Sequence, residues 1–192
     1  MIAHLNGRLI EKNPTNVIVE CGGVGYMVKI SLNTFSALGS DEQIRIYTQQ
    51  IIREDAHLLF GFATTEEREV FNLLLSVSGI GPNTAILMLS SLQPAEIAQA
   101  IQTEDVRTIQ SIKGIGAKTA QRVIIDLKDK MVKVEWTGNA NIFAGHNTNR
   151  FDALTALISL GFDKKAAEKA IEKIATGAES VEELIKGALK IL

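Results

Sequence analysis

Two stretches of this chain repeat one another: SVSGIGPNTA at 76–85 and SIKGIGAKTA at 111–120. Gly79 aligns with Gly114, Ile80 with Ile115, Gly81 with Gly116, Thr84 with Thr119 and Ala85 with Ala120. A helix is expected to end before each first glycine, turn through Gly-Ile-Gly, and restart at Pro82 or Ala117. Glycine allows positive φ and lacks the Cβ that would keep another backbone away. Proline suits a first helical position. The middle isoleucine should anchor each turn in the core. Amides of the turn and of the first helical turn then lack an intrahelical partner and sit at the helix's positive end. That arrangement binds anions. Two such turns in register can clasp two neighbouring phosphates of one strand, which positions a protein without reading bases. Lys113, Lys118 and Arg122 add charge at the second turn. The first has only Ser78 and Asn83 and should hold phosphate more weakly. A single GxG turn is usually a plain helix stop, whereas two in register are far more specific. The competing reading is a duplicated hairpin used only for packing.

The second stretch with chemical content is QQIIREDAHLLFGF, where two apolar runs flank Arg53-Glu54-Asp55-Ala56. A solvated hairpin tip often carries Asp. Beside a phosphate-binding domain, paired carboxylates repel the backbone with a strength set by distance and salt. Such a tip cannot raise affinity. It can exclude duplex from the centre of a site or keep separated strands apart. Binding of catalytic Mg²⁺ is a weaker reading, because no third acid accompanies the pair.

Other chemistries find little support. GIGAKTA imitates a nucleotide P-loop, but that motif needs glycine immediately before the lysine, and Ala117 stands there. No intrinsic ATPase or nuclease site is evident. His4, His57 and His146 are scattered, so no metal site is expected. The lone Cys21 excludes an internal disulfide and reads as a reduced, buried, cytoplasmic thiol. No apolar run approaches the ~18–20 residues of a membrane span. The chain is 46% hydrophobic and 22% charged, with net charge −2. Composition therefore argues mildly against a nucleic-acid partner, which usually meets a basic footprint. Any DNA binding must come from local geometry.

The elements that must position these groups fall into three segments. Residues 1–63 hold short apolar runs separated by turn residues: LNGRLI, VIVE, GYMVKIS, IRIYT, QQIIR and HLLFGF. Five or six strands in this length suggest a small closed barrel, OB-like or SH3-like. Residues 64–134 read as helices. Thr64 is the expected N-cap, with Glu67 reaching back to it in a capping box, and Val70, Phe71, Leu74 and Val77 lie on one face. Residues 135–149 are rich in Asn and Gly and lack periodicity, which suggests a flexible linker on which Trp136, Ile142 and Phe143 dock transiently. Residues 150–192 read as a three-helix bundle. Phe151, Leu154, Leu157 and Ile158 form one apolar face; Ala167, Ala170, Ile171 and Ile174 form the next. Val181, Leu184, Ile185 and Ala188 form the third, behind a Ser180–Glu183 capping box. So small a core leaves an apolar patch for a partner. The fold class is α+β and multidomain.

Taken together and in order, GRLIEKNP, GGVGY, IIREDAHLLFGF, the two GIG turns and DALTALISLGF make the whole chain resemble the RuvA family, the Holliday-junction-binding subunits of the bacterial branch migration complex. The resemblance implies an OB-like barrel, a tandem helix-hairpin-helix domain and a mobile three-helix domain. It implies a homotetrameric plate, or two plates as an octamer, on a four-way DNA junction in recombination and repair. The DNA-binding set would be Gly79, Ile80, Gly81, Asn83, Gly114, Ile115, Gly116, Lys118 and Arg122. Glu54 and Asp55, flanked by Arg53, would form an acidic pin at the centre. Leu154, Leu157, Leu160, Gly161 and Phe162 would meet the hexameric RuvB ATPase, and RuvC resolvase is a further implied partner. The chain itself would need no cofactor, ATP and Mg²⁺ being used by the motor. Lys is common in the family where this chain has Asn83 and Ala117, so binding here should depend less steeply on salt.

Two other classes fit the sequence less well. A glycosylase or nuclease would need a catalytic acid beside a base pocket, and only Asp126 lies near the hairpins, without stacking aromatics. A single-strand binder would need stacking platforms on the barrel, which offers Tyr26, Phe35 and Tyr47.

Overall fold

The computed structural model describes residues 1–132, 134, 147–174 and 180–192. The chain divides into two compact units, Met1–Thr137 and Gly138–Leu192.

The first unit begins with five strands: β1 (His4–Asn13), β2 (Asn16–Cys21), β3 (Val24–Ile30), β4 (Gln43–Ile52) and β5 (His57–Phe62). They close into a barrel in the order β1-β2-β3-β5-β4. All pairs are antiparallel except β3 with β5, where Lys29 faces Phe60 and Ile30 faces Gly61. Alternation fills the interior with Val17, Val19, Val28, Ile30, Ile44 and Ile46, all buried. IRIYT and QQIIR are one continuous strand, β4, because no turn residue separates them. A short helix, α1 (Leu32–Ala37), sits between β3 and β4, capped by Ser31.

Strand β5 belongs to two cores. Gly61 faces the barrel interior, where a Cβ would lie 2.5 Å from Ile46 and 2.6 Å from Val28. Phe60 and Phe62 point the other way, onto Phe71, with ring centroids 5.2 and 4.9 Å apart. Phe71 lies on α2 (Thr65–Leu75). Four more helices follow: α3 (Pro82–Ser91), α4 (Pro94–Gln102), α5 (Val106–Gln110) and α6 (Ala117–Met131). Their shared core holds Val70, Leu74, Met88, Ile101, Val123 and Leu127. Each aromatic or leucine buried there contributes about 1.5–3 kcal/mol relative to exposure. This continuity joins barrel and helices into one unit.

The capping box expected at the start of α2 forms only by half. Thr64 accepts from the Glu67 amide at 3.2 Å. The Glu67 side chain does not return to Thr64. It turns inward, 3% exposed, and accepts from Thr34 Oγ1 at 2.6 Å and from Ser31 Oγ. Burial pushes its carboxyl above the ordinary value, and the hydroxyls of Ser31 and Thr34 and the Ala63 amide pull it back in part. The protonated form is therefore favoured by folding. It contributes stability below the unfolded carboxyl's range, near pH 4.5, and that stability is lost as pH rises through the folded value. Glu67→Gln keeps a polar partner for both hydroxyls without the buried charge. Its stability relative to the parent is expected to improve from pH 4 to pH 7, as read by urea unfolding at each pH.

The second unit packs α7 (Asn147–Ser159), α8 (Lys164–Ile174) and α9 (Val181–Ala188) around Ala153, Leu157, Ala167, Ala170, Ile171, Leu184 and Ala188. The capping box of Ser180 and Glu183 is present in full. Helix α7 starts at Asn147, inside the stretch expected to be linker. Residues 135–146, with Trp136, Ile142 and Phe143, lie outside the described residues. Ile158 was expected inward but is 43% exposed, because the adjacent Leu157 takes the core position.

Candidate nucleic-acid interface

The two GIG turns are the same object built twice. Ser76 and Ser111 end the preceding helices, α2 and α5, and their hydroxyls donate to Leu73 O at 2.7 Å and Thr108 O at 2.8 Å. Val77 and Ile112 are buried, as are Ile80 and Ile115. The Ile80 amide donates to Val77 O, and the Ile115 amide to Ile112 O, both at 3.1 Å. Ala85 N to Gly81 O and Ala120 N to Gly116 O, both 2.9 Å, open the new helices. Ala85 and Ala120 are fully buried, which fixes each helix start against the core.

The glycines divide the work. Gly79 and Gly114 adopt φ +96° and +89°, where L side chains are strained. Gly81 and Gly116 are N-caps at φ −92° and −80° in extended backbone that any residue adopts. An added Cβ at Gly81 or Gly116 would meet nothing within 4 Å. Their smallness is not required by the fold, and the open space in front of them is solvent. Gly81, Asn83, Gly116, Ala117 and Lys118 are exposed at the starts of α3 and α6, where first-turn amides have no intrahelical acceptor.

The turns differ in the donors and cations they offer. Pro82 has no N–H, whereas Ala117 has one. Lys113, Lys118 and Arg122 are exposed at the second turn, and none is in an ion pair among the described residues. Two cations near the first turn were missed by sequence reasoning. Lys130 of α6 donates to Ser76 Oγ at 3.4 Å across 54 residues. Exposed Lys29 of β3 lines the same recess as Asn83. No local spacing signals either, since folding alone brings them there. The second hairpin is held by Asp105, which caps α5 by accepting from the Thr108 amide at 3.1 Å and hydroxyl at 2.6 Å. Those two bonds hold its carboxyl below the usual range. Glu104, at φ +56°, ties the same corner to Lys128 of α6.

The acidic turn is a β4–β5 hairpin tip closed by Arg53 N to Ala56 O at 2.8 Å. Arg53, Glu54 and Asp55 are exposed. Arg53 forms no ion pair with either acid among the described residues, so their charge faces solvent. Phe35 and Tyr47 already carry cations over their rings, Lys12 at 4.6 Å from Phe35 and Arg45 and Arg68 at 5.4 and 5.5 Å from Tyr47. Asp126 is exposed on α6 and does not line the recess that holds Lys29 and Asn83. Among the described residues no cluster of His, Cys, Asp and Glu could hold a metal, and no helix is long and apolar enough to cross a membrane.

In the second unit the expected partner residues separate. Leu157 is fully buried and serves the bundle core. Gly161, at φ +96°, ends α7: its amide donates to Ile158 O at 2.9 Å and that of Phe162 to Leu157 O at 3.2 Å, a Schellman stop. Leu154 and Phe162 are half-buried against the core. Leu160 remains outside, 62% exposed, with Ile158 beside it.

Comparison with known proteins matches this architecture segment by segment. The RuvA N-terminal domain matches residues 1–61, the SAM-like helix-hairpin-helix tandem 71–129, and the RuvA C-terminal domain 148–192. Relatives similar over the full length of both chains are the Holliday junction branch migration complex subunits RuvA of Christiangramia forsetii, 55% identical, Flavobacterium psychrophilum, 54%, and Cytophaga hutchinsonii, 51%. With a barrel, a duplicated hairpin and a terminal bundle each matched in order, the chain belongs to the RuvA family.

Proposed function

We propose that this chain binds four-way DNA junctions by their shape, holds them open, and recruits the hexameric RuvB ATPase for branch migration in recombination and repair. The observation that carries this reading is the pair of glycine turns with matching backbone bonds, each opening a helix at an exposed start. Gly79, Ile80, Gly81 and Asn83 would hold one phosphate; Gly114, Ile115, Gly116, Lys118 and Arg122 would hold the next more tightly. Glu54 and Asp55 would stand as a pin at the crossover in a fourfold assembly of this chain, single or doubled. The relatives are subunits of a Holliday junction branch migration complex, which supports the substrate and a partner in a complex.

The division of labour follows the segments. Residues 1–63 supply the pin, 64–134 the grip on DNA, and 150–192 the contact to the motor, with exposed Leu160 as the leading contact residue. RuvC resolvase is a further proposed partner on the same junction. The chain would work in the cytoplasm without a cofactor of its own, ATP and Mg²⁺ being consumed by the motor.

The test compares the full chain with one lacking residues 150–192, by gel shift on a four-way junction and on linear duplex. Both forms are expected to prefer the junction by at least about tenfold, a difference of about 1.4 kcal/mol. Only the full chain should stimulate RuvB-driven branch migration. A truncated chain that no longer binds DNA would overturn the assignment of domains, and a full chain indifferent to junctions would overturn the function.

A further inference from the structure

Four consecutive residues, Ser31-Leu32-Asn33-Thr34, reach the helices on either side of the first glycine turn through hydrogen bonds. Asn33 Nδ2 donates to Leu89 O at 2.6 Å and to Leu92 O at 2.9 Å. These carbonyls belong to the end of α3, where a helix leaves acceptors unmet. Asn33 Oδ1 accepts from Gln93 Nε2 at 2.7 Å. The Leu32 amide donates to Ser90 Oγ at 3.1 Å. Ser31 Oγ caps α1 by accepting from the Thr34 amide at 3.0 Å, and it donates to Glu67 of α2. Thr34 Oγ1 donates to Glu67 Oε2 at 2.6 Å and accepts from the Ala63 amide at 3.1 Å. Ala63 lies between β5 and α2, one residue past the strand that rises from the acidic tip.

A six-residue helix cannot stand alone. α1 keeps its place through these bonds, and in return it fixes α3. The N-terminus of α3 is the first glycine turn, and its C-terminus is held by Asn33 from the barrel. These bonds tie the C-terminal end of α3 to the barrel, beside the core it shares with β5 and α2. No buried side-chain nitrogen or oxygen among the described residues lacks a partner, so this network is complete and stiff.

We propose that the Ser31–Thr34 segment is a positioning element for junction recognition, with Asn33 and Thr34 as positioning residues that hold the first hairpin at a fixed reach from the acidic tip. This rests on the reading of the turns and the tip given under Proposed function. A flexible joint would still let each hairpin hold phosphate. It would lose the simultaneous fit of hairpins and tip that separates a four-way junction from plain duplex.

The experiment measures dissociation constants of the full chain for an immobile four-way junction and for linear duplex, with 2-aminopurine at the crossover reporting base opening. Asn33→Ala and Thr34→Val are expected to leave duplex affinity within about twofold, to lower junction affinity about tenfold, and to reduce the 2-aminopurine signal. Thr34→Ser keeps the hydroxyl and should hold junction affinity and the 2-aminopurine signal near the parent's level, while duplex affinity unmoved in every variant excludes a merely destabilised fold. Should Asn33→Ala fail to fold, Gln93→Ala removes one of its bonds at the surface and should give a smaller loss, about threefold, in the same ratio. Folded variants with an unchanged junction-to-duplex ratio overturn the proposal. Gly81→Val with Gly116→Val runs alongside. Normal DNA binding by that control refutes the reading of the turns; its loss beside an unmoved ratio in the α1 variants refutes only the positioning role.

Discussion

Valine at both Gly81 and Gly116 is expected to leave the fold standing and to lower junction affinity about 100-fold. Both positions have extended backbone, where a β-branched residue is at ease. Neither new Cβ meets an atom within 4 Å. As N-caps without a side-chain cap bond, the two glycines give up about 1 kcal/mol at most on replacement. The valines would stand in front of the first-turn amides of α3 and α6, where the phosphates are proposed to sit. A hydrogen bond to a charged group is worth about 1.5–3 kcal/mol. Loss of one at each turn removes about 3 kcal/mol, near two decades in the dissociation constant. The opposite pattern is expected at Gly79 and Gly114. Their positive φ makes valine strained by about 1–3 kcal/mol each, so the melting temperature should fall before DNA binding is even tested. Fluorescence anisotropy on a labelled junction, with thermal unfolding of each variant, reads both halves. A double Gly81/Gly116 variant that binds as the parent does would mean that the turns only pack.

That contrast shows where the sequence is legible and where it stops. The repeat itself is plain, because a helix stop, a buried isoleucine and a helix start are all local events within ten residues. That two of the four glycines are conformationally required and two are not depends on backbone angles no spacing reveals. Thr64 and Glu67 satisfy the local capping rule, yet Glu67 finds better donors in Ser31 and Thr34, more than 30 residues away. α1 escapes notice for the same reason: its six residues have weak periodicity and are held from outside. The cations that support the first turn, Lys29 and Lys130, come from β3 and the far end of α6. In the last bundle, Leu157 and Ile158 are equally apolar neighbours, and only packing decides that the first is core and the second exposed. The stop at Gly161, by contrast, follows from glycine's freedom at a helix C-terminus.

Neutralising the acidic tip, Glu54→Gln with Asp55→Asn, is expected to tighten DNA binding while eroding the choice of substrate. The hairpin should survive, since its closing bond is main chain, Arg53 N to Ala56 O, and both side chains are exposed. A carboxylate about 10 Å from a phosphate repels it by about 0.4 kcal/mol in water before screening. In the proposed tetramer eight carboxylates would surround the crossover, so the sum reaches about 3 kcal/mol at low salt. Screening cuts it steeply as the Debye length shrinks from about 10 Å at 0.1 M to about 3 Å at 1 M. Duplex lying across the centre would feel that repulsion most, because an open junction leaves the middle empty of backbone. Duplex affinity is therefore expected to rise about tenfold at low salt and junction affinity about threefold, with both gains vanishing towards 1 M salt. Branch migration driven by RuvB should slow, since nothing then keeps the exchanging strands apart. Salt titrations on both substrates check the sign and the screening. If the neutral tip instead abolishes junction binding, the acids are contacts rather than a barrier, and repulsion cannot be their role.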